Sequence, residues 1–292
     1  MNTRKAALSG AALVALYTGA IAAADGITKL IAGGYAAPQL FALSSGLVIA
    51  LSLLAARGQG AGLSTRSPGT MAVRAVLTVC AAIGFFQAFR LLPFADVFVF
   101  IALMPLIAAA LSGPVLGERV RPATWTALLL GAGGVLCLMP AGRLSLDAGH
   151  LWALFAALTG TGSMVAARRI ARIERVPLAQ VFWPNLAVML VMAAALPFVW
   201  TPMPLADLGW VAGYAVFLFA ARWLSVEALR LLPAYVATPL MNLQFVWMVA
   251  IGWWGFGELP TAGTLVGVML VVGSGMWLIF DEALPGRRMA RA

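Results

Sequence analysis

Between residues 235 and 247 the chain sets Tyr235, Thr238 and Asn242 three and four positions apart, the spacing of one helix face, with Gln244 and Trp247 on an adjoining face. All five lie in one long apolar run. A polar group in hydrocarbon is costly, so polar residues within such a run face protein or water. Hydroxyls and amides can bind a zwitterion's charged ends, and an indole stacks on an apolar side chain. The competing reading of Asn242 and Gln244 is interhelical hydrogen bonding that holds helices together. Pro239 in this run and Pro105 in an earlier one each remove a backbone donor, which makes them candidate kinks.

Other runs carry fewer such groups. Tyr17 and Thr18 lie deep in the first run, and Thr159 mirrors Thr18 in a later one. Threonine there either lines a cavity or bonds its own helix. Gln87 is the one deep polar group of its run. Arg222 is a cation inside an apolar stretch, either a gate or carboxylate contact or a side chain that snorkels to the surface. Asp96 follows Pro93 at a helix start, so gating competes with capping. Asp25 and Lys29 stand four apart, the spacing of an intrahelical ion pair. Asn185 is polar within another run. His150 reads as an outer-loop residue, alone and without the neighbours a catalytic or metal centre needs. Cys80 and Cys137 read as small apolar residues. No cofactor is expected, and the sequence contains no phosphate-binding loop of the kind that drives ATP-powered pumping.

The elements that carry these groups follow from composition. The 292 residues are 63% hydrophobic and 10% charged, with a mean hydropathy of +0.98, where a soluble domain is about one quarter charged. Runs of about 20 apolar residues match ~30 Å of hydrocarbon. Ten are expected, over approximately 6–28, 38–56, 71–90, 95–116, 122–140, 149–168, 178–200, 208–229, 235–256 and 261–280. The net charge of +9 is spread over short clusters between runs, which points to topology rather than to nucleic acid. With the N-terminus in the cytoplasm, only Lys29, Arg90 and Arg143 of the 19 Lys and Arg fall outside; Arg222 is within span 8 and the rest are inside. The expected molecule is therefore an all-α, ten-span protein of a bacterial inner membrane, with both termini cytoplasmic. Its first run, though preceded by Arg4 and Lys5 like a secretory leader, reads as an uncleaved span.

The chain also repeats itself. Ala88-Phe89-Arg90-Leu91-Leu92-Pro93 returns as Ala228-Leu229-Arg230-Leu231-Leu232-Pro233, and Gly117-Glu118 returns as Gly257-Glu258. Gln39 and Phe41 match Gln180 and Phe182 at nearly the same offset. This divides the chain into 1–140 and 141–292, each with five spans. Because five is odd, the halves enter the membrane in opposite directions, an inverted repeat that suits alternating access. The two glutamates read as helix-junction residues more than as substrate contacts.

Ten spans, two five-span halves and a Gly-Glu junction after the fourth span of each half resemble the EamA-type branch of the drug/metabolite transporter superfamily. Within it the chain is similar to YddG-type amino-acid exporters. The resemblance implies a central cavity walled by spans 1, 3, 4, 6, 8 and 9, and export of neutral amino acids, aromatic ones included. It does not carry over the mid-membrane glutamate of the four-span multidrug members, since span 1 has no carboxylate at its middle. The expected partners are a small-molecule substrate and the lipid bilayer, with no nucleic acid; oligomeric state is left open. Alternatives are a multidrug or other metabolite exporter, a passive facilitator, and a membrane-embedded lipid enzyme, for which no clustered nucleophile and base are present in the sequence.

Overall fold

A span in hydrocarbon must satisfy its own backbone, which a helix does within one segment. The computed structural model is accordingly helical. It describes residues 3–31, 34–59, 62–91, 94–118 and 148–256, with short stretches inside 120–133 and 265–277. The helices are α1 (Thr3–Ile31), α2 (Ala37–Gln59), α3 (Pro68–Leu91), α4 (Phe94–Leu116), α5 (Ala148–Ile173), α6 (Pro177–Val199), α7 (Leu205–Leu231), α8 (Ala234–Met241) and α9 (Leu243–Phe256). Helices α1 to α4 coincide with spans 1 to 4 and α5 to α7 with spans 6 to 8. Spans 5 and 10, with Cys137, Gly257 and Glu258, fall wholly or largely outside the described residues. Among the described residues, six helices (α1, α2, α3, α5, α6 and α7) are long and apolar enough to cross a membrane, and α4 and α9 contain shorter apolar stretches.

Local chemistry sets the helix ends. Pro68 and Pro177 open α3 and α6, where a missing N–H costs no helical hydrogen bond. Beyond α4, Gly117 takes φ +66° and its amide bonds the Gly113 carbonyl at 2.9 Å. This is the left-handed stop that glycine adopts without strain. Pro105 lies inside α4 without ending it. Span 9, expected as one helix, is two. The chain turns at Asn242, whose carbonyl accepts the Phe245 amide at 3.0 Å. The turn comes three residues after Pro239, which has no N–H to give, at a residue type that favours turns.

Packing joins α3 to α5 and α1 to α7 most extensively. A Cβ on Gly84 would lie 2.9 Å from the Cβ of Ala156, so α3 and α5 approach more closely there than any side chain allows. Further pairs include α2 with α6, α3 with α6, α2 with α7, α4 with α5, α1 with α8 and α9, α4 with α8, α5 with α7 and α6 with α7. One apolar cluster unites Val14 of α1, Ala109 of α4, Val165 of α5, Leu229 of α7 and Leu240 of α8. A second joins α1, α2, α6 and α7 through Ala24, Val48, Val181 and Ala215. Large apolar side chains also cover the outside; Phe198 and Trp254 are each 87% exposed. In water such a surface would be a liability, and against lipid it is at home.

Candidate functional site

Helix α1 is the axis on which the polar groups are arranged. It runs antiparallel to α7, with a Cβ on Gly213 lying 3.6 Å from Ile27 and one on Gly10 lying 2.6 Å from Leu232. This register sets Arg222 level with residues 18 to 20 of α1, and Asp25 about 9 Å further along at 1.5 Å per residue.

Two hydrogen bonds tie α1 to α9 immediately after the turn at Asn242. Gln244 Nε2 donates to Asp25 Oδ2 at 2.6 Å, and Trp247 Nε1 donates to Thr18 Oγ1 at 3.2 Å. Thr18 is fully buried and donates its own hydroxyl to the Ala15 carbonyl at 2.8 Å. The indole packs over Gly19, where a Cβ would make ordinary contact with it at 3.7 Å. The turn at Asn242, itself buried, lets one span present α8 to α4 and α9 to α1.

The cation stands on α7. Arg222 donates Nη1 to Asn185 Oδ1 at 2.7 Å, and Asn185 Nδ2 bonds the Val181 carbonyl of its own helix at 2.7 Å. Among the described side chains no carboxylate pairs with Arg222 and no cation pairs with Asp25. Each is held by a neutral amide. Tyr17 of α1 and Tyr214 of α7 lie within electrostatic reach of both charges.

The remaining candidates divide. Thr159 bonds back to its own helix, at 2.7 Å to Phe155 and 3.3 Å to Ala156, and joins no other span. Gln87 is half-buried on α3 and engages none of the groups above. Pro105 is buried in α4. Tyr235, Thr238 and Pro239 are in α8 and Asp96 is in the first turn of α4, and their side chains lie outside the described residues. His150 is corrected: it is buried in the first turn of α5, not in a loop, with its ring 5.9 Å from that of Phe100. Asp25 is bound across to span 9; the side chain of Lys29, its expected partner, is outside the described residues.

Sequence reasoning missed the amides that organise the charges. Asn185 was visible as a polar residue in an apolar run, but nothing local tied it to Arg222. Asp25 looked peripheral because only the register of α1 against its neighbours brings Gln244 to it.

At the end of the bundle where α1 begins, ion pairs tie loops to helices. Arg168 Nε meets Glu118 Oε1 at 3.1 Å and its Nη1 bonds the Leu229 carbonyl at 2.6 Å. Glu227 takes Arg230 at 2.9 Å and Arg175 at 3.3 Å. Glu174, in the loop after α5, accepts from Thr65 and from the Arg66 amide. Burial alone would raise its pKa, but those hydrogen bonds outweigh it and hold the carboxyl below its usual 4.5.

Comparison with known proteins bears on the fold and on family resemblance. A solved crystal structure matches over 99% of both chains with a TM-score of 0.79 at 21% identity, which is a likeness of fold. Pseudopaline exporters CntI from two strains of Pseudomonas aeruginosa, UCBPP-PA14 and PAO1, are each 23% identical over 269 residues, covering 90% of this chain and 93% of theirs. Residues 147–280 match the EamA-like transporter family. Residues 147–280 thus resemble an EamA-like transporter domain, and the chain is similar over most of its length to the two exporters.

Proposed function

We propose that this protein exports small amino-acid-type zwitterions across a bacterial inner membrane by alternating access. Neutral amino acids, aromatic ones included, are the simplest members of that class. The observation that carries the reading is the pair of opposite charges at the core of the bundle, Asp25 and Arg222, each held by an amide and, among the described residues, by no opposite charge. A substrate ammonium completes the first and a substrate carboxylate the second. Trp247, beside Thr18, offers a face for an apolar side chain, and Tyr17, Tyr235, Thr238 and Asn242 supply further polar contacts.

The proposed frame is ten spans in two inverted halves, 1–140 and 141–292, with both termini cytoplasmic. Helix packing supports it. Adding five to each span number exchanges span pair 3–6 with 1–8, 3–7 with 2–8 and 4–6 with 1–9, while 2–7 and 4–9 map onto themselves. Such pairing is what a pseudo-two-fold axis in the membrane plane demands, and exchange of the halves' conformations would open each face in turn. The turn at Asn242, following Pro239, is the proposed hinge that lets α9 leave α1, and Pro105 is the candidate in span 4.

A second reading has its own support. The CntI relatives are named as exporters of pseudopaline, a metallophore, so the second reading is a cargo other than, and longer than, a free amino acid. The axial offset of about 9 Å between the levels of Asp25 and Arg222 suits such length.

The test is uptake of radiolabelled phenylalanine into liposomes holding the purified protein, with and without unlabelled amino acid in trans. Saturable uptake accelerated from the trans side supports the amino-acid carrier. Linear uptake without trans-stimulation would make it a passive facilitator. Uptake equal to empty liposomes, from folded protein, removes free aromatic amino acids and leaves the larger cargo.

A further inference from the structure

One polar junction near the end where α1 begins lacks an acceptor. Arg74, in the second turn of α3, donates Nη1 to Gln180 Oε1 of α6 at 3.0 Å. Its Nε is buried without a partner, and so is Nε2 of Gln180, a residue only 1% exposed. Both orphan atoms are donors. The Nε edge of a guanidinium is the fork that takes a carboxylate in two hydrogen bonds.

Five residues along α6, about 7 Å deeper, Asn185 holds Arg222 in the same manner. Arg222 bears on Arg74 electrostatically as a like charge. Among the described residues, the three carboxylates at this end are already engaged: Glu118 by Arg168, Glu227 by Arg175 and Arg230, Glu174 by Thr65 and the Arg66 amide. None pairs with Arg74 or Arg222. Two cations braced by neutral amides in a low-dielectric interior form an arrangement that an anion completes.

The repeat supplies an internal comparison. Gln39, the counterpart of Gln180, uses both its amide atoms on the Thr201 backbone, at 2.7 and 2.9 Å. There the amide is purely structural. Gln180 keeps its donor free. The position 140 residues after Arg74 is Tyr214, so the shared fold does not itself require a guanidinium.

We infer that Arg74 and Arg222, braced by Gln180 and Asn185, bind two carboxylates of one substrate, so that the favoured cargo is an amino-acid derivative with at least two carboxylates and one amine. This rests on the proposed export of amino-acid-type compounds and narrows it.

The test uses the full chain in phosphatidylcholine nanodiscs, with binding of iminodiacetate, glycine and phenylalanine measured calorimetrically, and repeats it with phosphatidylglycerol added. Wild type is expected to bind iminodiacetate at least about tenfold tighter than glycine in both lipids. Arg74→Gln should remove that advantage. Gln180→Glu, which supplies an internal carboxylate, should raise the melting temperature of the unliganded protein and remove the advantage as well, so the test does not depend on one variant folding. Equal affinities in wild type, or an advantage that survives both substitutions, overturn the inference. Loss of the advantage on adding phosphatidylglycerol also overturns it and assigns the site to a lipid headgroup. If none of the three compounds binds wild type, the amino-acid reading beneath it falls too. If glycine and phenylalanine bind as well as iminodiacetate, only the two-carboxylate inference falls.

Discussion

Replacing Asn185 with leucine tests whether Arg222 is held where the 2.7 Å contact to Oδ1 places it. The substitution removes the acceptor and keeps the guanidinium in the bundle. A hydrogen bond to a charged group is worth about 1.5–3 kcal/mol, and stranding one partner adds a desolvation penalty. In a membrane interior the unfolded reference also finds partners, which reduces such values. A loss of about 2 kcal/mol is expected for Asn185→Leu. Arg222→Met strands only a neutral carbonyl and should cost about 1–2 kcal/mol. In the double variant both groups are apolar, nothing is stranded, and stability should return to within about 1 kcal/mol of wild type. The coupling read from the cycle is then at least about 2 kcal/mol. The assay is reversible unfolding of purified protein in mixed micelles as the denaturing detergent fraction rises. Effects that add to within about 0.5 kcal/mol would refute the pairing, because additive losses mean that the two side chains do not sense one another.

Trp247→Phe keeps the ring against Gly19 but loses the donor to Thr18, so it should cost about 1 kcal/mol in the same unfolding assay. Gly84→Val places a branched side chain where Cβ alone would meet Ala156 at 2.9 Å; it should destabilise by about 1–3 kcal/mol, and the double variant with Ala156→Gly should recover part of the loss. Glu174 has a carboxyl held below its usual pKa, so its contribution is present above the usual carboxylate range and is lost as pH falls through the folded value. The difference in melting temperature between wild type and Glu174→Gln should therefore be largest near neutrality and vanish in acid; a difference unchanged across that range would contradict it.

Much of the architecture was legible in the chain. A helix in hydrocarbon depends on a local property, an apolar run of sufficient length, and so spans 1 to 4 and 6 to 8 coincide with single helices. Gly117 was legible as a stop because only glycine takes that backbone conformation cheaply. Span 9 was legible as apolar but not as broken, since a turn at Asn242 is tolerable only where neighbouring helices shelter it. The site was legible in part. Thr18, Asn242, Gln244, Trp247 and Arg222 stood out as polar groups in hydrocarbon, where each must find a use. Their partners did not stand out. Asp25 and Gln244 are 219 residues apart, Arg222 and Asn185 37 apart, and Arg74 and Gln180 106 apart. Thr159 and Thr18 look alike in sequence, yet one serves its own helix and the other takes a tryptophan from across the bundle. Which of two similar side chains meets a partner depends on helix register and on which faces cross. Those follow from packing of the whole bundle, while segment identity follows from the transfer energy of each segment alone.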